Sequence, residues 1–86
     1  MPEISRFYGI VVKMYFDEHL PPHIHVEYGE FEGLININNL GLFAGELPPR
    51  ALGLVIEWGA THQQELMAFW DKARKMEPLG KIEPLK

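Results

Sequence analysis

The spacing of apolar residues changes once along this chain, at Pro48-Pro49, and that change limits the folds open to it. Before it, apolar and polar residues alternate in short runs, the two-residue period of a strand with one buried face. After it, apolar residues recur every three or four positions, the period of an amphipathic helix. Strands first and helix second is the pattern of an α+β domain rather than of alternating strand and helix units.

Phe7 to Phe16 is rich in β-branched and aromatic residues and reads as a strand, with Gly9 as a bulge or bend. Ile10, Val12, Met14 and Phe16 share one face, and Val11, Lys13, Tyr15 and Asp17 the other. Leu20-Pro21-Pro22 stops pairing, because proline lacks an amide donor and restricts the residue before it. His23 to Tyr28 and Phe31 to Asn36 are the next strands, joined by a short glycine-containing hairpin. Asn38-Asn39-Leu40-Gly41 is a turn cluster, and Leu42 to Gly45 a short fourth strand.

Two prolines suit a first helical turn, whose amide hydrogens have no intrahelical partners. Ala51, Val55, Trp58, His62, Leu66, Phe69 and Ala73 then lie on one stripe, with Leu52, Gly59 and Trp70 at its edge. One helix is predicted from about Pro48 to Met76, roughly 40 Å long at 1.5 Å per residue. Ile56, Ala60 and Met67 widen the apolar sector, giving either a broad core face or a homodimer contact through Ile56, Met67 and Trp70. The tail, 77–86, repeats an E-P-L core whose prolines forbid further helix, and it is predicted to be extended.

The expected fold is therefore a single α+β domain spanning 1–86. An antiparallel sheet of three to four strands, within 4–46, packs in two layers against one long C-terminal helix. Core candidates are Ile10, Val12, Met14, Ile24, Val26, Ile35, Leu52, Val55, Trp58, Leu66 and Phe69.

Composition removes several function classes. There is no cysteine, so a metal would have nitrogen and oxygen ligands only. The net charge of −4, with scattered basic residues, argues against broad nucleic-acid binding. No run of about 18 apolar residues and no signal-peptide pattern occurs, so no membrane association and a cytoplasmic location are expected.

One segment could carry chemistry. If His23-Ile24-His25-Val26-Glu27 is a strand, His23, His25 and Glu27 share one face while Ile24 and Val26 share the other. Two imidazoles one residue apart can both reach one zinc or similar divalent transition ion. Glu27 lies almost 7 Å along the strand from His25. Asp17 or His19, from the neighbouring loop, would be needed to complete a site. The same pair could instead serve as acid and base on a phosphodiester. The plain alternative is a structural role, with the imidazoles hydrogen-bonded to the Pro21-Pro22 turn and Glu27. His62, mid-stripe on the helix, reads first as a buried, hydrogen-bonded histidine. It becomes a third site candidate if it faces His23 and His25.

The combination of Ile4-Ser5-Arg6-Phe7-Tyr8-Gly9, Pro21-Pro22-His23-Ile24-His25, Gly45-Glu46-Leu47-Pro48 and Glu57-Trp58-Gly59-Ala60-Thr61-His62 resembles a small bacterial and archaeal family, domain of unknown function 4160. The likeness covers nearly the whole chain. It implies a short α+β domain and supplies no established activity. It also implies a setting, since members are often encoded beside another small protein, in pairs suspected of being toxin and antitoxin. The leading expectation is accordingly a non-enzymatic interaction module, one component of such a pair, binding a small protein partner or a second copy of itself. The rival is a small metal-binding or ribonuclease-like enzyme built on His23, His25, Glu27 and His62.

Overall fold

A computed structural model describes residues 3–16 and 18–86. Five strands precede two helices: β1 (Glu3–Phe7), β2 (Ile10–Lys13), β3 (His23–Tyr28), β4 (Phe31–Asn36), β5 (Leu42–Gly45), α1 (Pro49–Thr61) and α2 (Gln63–Arg74). The sheet is antiparallel throughout, and its strand order β1-β2-β3-β4-β5 follows the sequence.

The α+β class stands, but the expectation of three to four strands is corrected to five. Phe7 to Phe16 is not one strand, because Tyr8 and Gly9 both take positive φ, 51° and 79°. Two consecutive left-handed residues make a tight two-residue turn whose twist suits a hairpin, so Phe7 pairs with Ile10. Gly9 is a turn residue rather than a bulge, and the additional strand is β1. The β3–β4 hairpin turns at Gly29 (φ 59°), with Tyr28 opposite Phe31. In the β4–β5 turn Leu40 takes the left-handed angle (φ 57°). Its side chain lies against Gly59, where an added Cβ would sit 2.9 Å from Leu40 Cδ2.

The single long helix is likewise corrected to two. The helical path breaks at His62 (φ −123°, ψ 20°), whose N–H reaches back to Gly59 O at 3.1 Å. Thr61 Oγ1 donates to Trp58 O at 2.9 Å, competing for a helical carbonyl. On the far side, Gln63 Nε2 donates to Ile37 O (2.7 Å) and Asn38 O (2.8 Å), tying the start of α2 to the β4–β5 turn.

The core joins Ile10, Val12 and Met14 to Ile24, Val26 and Ile35 from the sheet, and to Ala51, Val55, Trp58, Leu66, Trp70 and Ala73 from the helices. Leu52 and Phe69, expected inside, are only partly buried. Trp70 moves the other way: at the stripe's edge in sequence, it is buried, which takes it out of the proposed dimer flank. The break at His62 resets the helical phase, so α2 turns a different residue inward. Ile56 stays exposed and Met67 half-buried.

The tail docks on its own domain. Ile82 is buried and its N–H donates to Ile4 O at 2.8 Å, while Glu83 O accepts the Trp58 indole N–H, also at 2.8 Å. No helix among the described residues is long and apolar enough to cross a membrane.

Candidate metal centre

Parity in β3 puts Ile24 and Val26 into the core and His23 and His25 on the opposite face. His23 lies at the strand's start, directly after the cis Leu20-Pro21 bond and Pro22. It is 7% exposed, against the rings of Trp70 (5.2 Å between centroids), His25 (5.2 Å) and Phe43 (5.6 Å). The Tyr15 ring meets His25 edge-on at 4.5 Å. Both imidazoles are thus clamped by aromatic neighbours, which limits their rotamers.

Glu18, from the β2–β3 loop, completes a group of three. Its Oε1 is hydrogen-bonded to His25 Nε2 and lies 3.4 Å from His23 Nε2. Glu18, His23 and His25 each present a ligand-type atom, all within 4.8 Å of one another. Ligands of a tetrahedral zinc ion lie about 3.3 Å apart for bonds of about 2.0 Å, so a small inward movement would suffice. Burial would raise the Glu18 carboxyl, but the hydrogen bond from His25 and the adjacent charge of His25 and His23 outweigh it and hold it below the ordinary carboxylate range.

The proton positions follow from the partners. His23 Nδ1 is 2.7 Å from Pro21 O, and a carbonyl only accepts, so Nδ1 carries a proton and Nε2 is the ring nitrogen turned to the cluster. A backbone carbonyl fixing the remote ring nitrogen is the support that metal-binding histidines ordinarily have. His25 donates from Nε2 to Glu18, and its buried Nδ1 has no hydrogen-bond partner among the described residues; Glu32 Oε2 is 3.5 Å away.

The other sequence candidates lie elsewhere. Glu27 shares the face of His25 but is bound by Lys13 Nζ at 2.9 Å, a hydrogen bond that outweighs burial and raises the Lys13 ammonium above its usual value. His19 is exposed on the loop and outside the group of three. Asp17 lies outside the described residues. His62 packs on Trp58 (5.5 Å) and pairs with Glu65 at 2.7 Å; it too is outside the group. Glu18 itself escaped sequence reasoning. The loop was the right one, but only the geometry of the Pro21-Pro22 reversal decides which of its residues turns back onto the strand.

A five-strand meander backed by two helices, with two histidines and a loop carboxylate converging at the start of β3, defines a small α+β domain with a nitrogen and oxygen donor set. The domain of unknown function DUF4160 matches residues 9–71, more than half of the chain, and the protein belongs to that family. The match spans every residue of the His–Glu cluster. Neither the curated proteins nor the solved structures contain a match to the chain.

Proposed function

We propose that this protein binds a divalent transition metal, zinc foremost, through Glu18, His23 and His25. The observation that carries the reading is the convergence of one ligand-type atom from each of these three residues to within 4.8 Å of one another. His23 presents Nε2, held in place by the Nδ1–H bond to Pro21 O, and Glu18 presents Oε1 at 3.4 Å from it. Two imidazoles and one carboxylate suit zinc and its neighbours, and three protein ligands leave a coordination position for water or a partner's group. Two adjacent imidazoles would also suit an acid and base pair, as a ribonuclease requires. Glu18 faces both rings, however, and that favours the metal.

The test is thermal melting of untagged, chelator-treated protein with and without zinc. A ligand at 100 times its dissociation constant stabilises by about 2.7 kcal/mol. For a domain of this length that is a rise of roughly 10–20 °C. The rise is expected to vanish in the His23→Ala, His25→Ala double variant. Wild-type protein that takes up no zinc and melts unchanged would falsify the reading.

A second reading concerns the biological task. We propose an interaction module, half of a toxin and antitoxin pair, whose contact surface surrounds the metal centre. Phe16 and Leu20, in the loop that carries Glu18, and Phe43, beside the His23 ring, are exposed large apolar side chains. An apolar rim around a polar centre is the composition of a docking surface. Phe16→Asp with Leu20→Asp is expected to abolish binding to a small protein encoded alongside while sparing zinc uptake. A complex indifferent to both changes would move the contact elsewhere.

A further inference from the structure

We infer that Glu32 is the positioning residue of the metal centre, the carboxylate that takes up the His25 Nδ1 proton-bearing edge when a metal occupies Nε2. This rests on the metal-binding reading above.

Without metal, His25 Nε2–H is donated to Glu18, and Nδ1 is buried with no hydrogen-bond partner among the described residues. A buried polar atom without a partner is costly, and native structures rarely retain one without a use. Glu32 Oε2, an acceptor, lies 3.5 Å away and forms no hydrogen bond with it. That bond is unmade in this state and can be made in another.

A metal supplies that other state. Coordination at Nε2 needs that nitrogen's lone pair, so the ring's one proton must reside on Nδ1. The proton displaced from Nε2 leaves to solvent, which also exchanges with the one held on Nδ1. Nδ1–H then faces the Glu32 carboxylate, and Glu18, released from the imidazole N–H, turns its oxygen to the ion. Both histidines would end with the same support, Nδ1 donating to oxygen: His23 to Pro21 O and His25 to Glu32. The register permits it, because Glu32 pairs with Glu27 and His25 with Leu34 on adjacent β4 positions of one face. Glu32 is half-exposed and free to swing inward.

The test measures zinc affinity by chelator competition on the full untagged chain, comparing wild type with Glu32→Ala and Glu32→Gln. Outer carboxylates of this kind usually contribute about 10–100-fold in affinity, so Glu32→Ala is expected to weaken zinc binding by that factor. Glu32→Gln, which keeps a neutral acceptor, is expected to recover part of it. Both variants should melt like wild type without metal, because the exposed side chain lacks a hydrogen bond there. Nitrogen NMR of the His25 ring should report Nε2–H in the metal-free protein and Nδ1–H in the zinc-loaded one. Wild type that binds zinc, with Glu32→Ala binding equally well or His25 keeping Nε2–H, overturns the role of Glu32 and leaves the metal centre intact. Wild type that binds no zinc overturns both.

Discussion

The indole Nε1 of Trp58, in the last turn of α1, donates to the backbone carbonyl of Glu83 at 2.8 Å, so the last residues of the chain satisfy a polar group buried under the helix. The tail is thereby part of the core, with Ile82 inserted beside it at 2% exposure.

Removing residues 77–86 should therefore destabilise the domain well beyond what an exposed appendage would cost. Losing the Ile82 burial costs about 1.5–3 kcal/mol, and leaving the indole N–H unsatisfied about 1–3 kcal/mol more. The urea midpoint of the truncated chain is expected to fall accordingly. An unchanged midpoint would mean that neither contact contributes to stability.

Glu18 and Glu27 should part company in a metal titration. Glu18→Gln is expected to lower zinc affinity by at least tenfold. Glu27→Gln should leave it within twofold, because Glu27 is engaged by Lys13. The Lys13–Glu27 pair itself is partly solvated, and a double-mutant cycle should give it no more than about 1 kcal/mol. Equal loss in both variants would contradict the three-residue centre.

The lowered pKa of Glu18 sets an acid limit on stability. A carboxyl whose folded value lies below its unfolded value contributes fully above the unfolded value, about 4.3, and loses that contribution as pH falls through the folded one. In chelator-treated protein, the stability difference between wild type and Glu18→Gln should hold down to about pH 5 and shrink below about pH 4.3. A difference that persists unchanged to acid unfolding would show that the two imidazoles do not hold the carboxylate.

Two glycines should respond oppositely to alanine. Gly45 has φ 76°, and an added Cβ would collide with Glu32 O and approach Gly33 Cα to 2.9 Å. Strain and a backbone clash together should destabilise Gly45→Ala by more than about 2 kcal/mol. Gly53 is exposed within α1 with nothing within 4 Å of an added Cβ. Gly53→Ala should stabilise by about 0.5–1 kcal/mol, read as a higher denaturant midpoint.

Where backbone regularity holds, the fold was legible from sequence alone. Alternation placed Ile24 and Val26 on one face of the strand and His23 and His25 on the other, and the change at Pro48-Pro49 marked where strand gives way to helix. It ceased to be legible at irregular points. Tyr8 carries no turn signal of its own, and the left-handed angle it shares with Gly9 splits what reads as one strand. His62 falls on the apolar stripe of an unbroken helix. The break there comes from Thr61, whose hydroxyl bonds back to Trp58 O, and from the grip of Gln63 on the β4–β5 turn, a contact between residues 25 and 26 positions apart in sequence. Glu18 sits in a loop with no period to reason from, so the sequence does not distinguish it from its neighbours Asp17 and His19.

The meander order has a kinetic corollary. Each strand pairs with its neighbour in sequence, so every ladder closes a short loop, and the entropy of closure grows with the length enclosed. Glu18, His23, His25 and Glu32 all lie within one loop and one hairpin. These residues can therefore be gathered before either helix has docked, and a metal ion captured at that moment would act as a nucleus around which the remaining chain condenses.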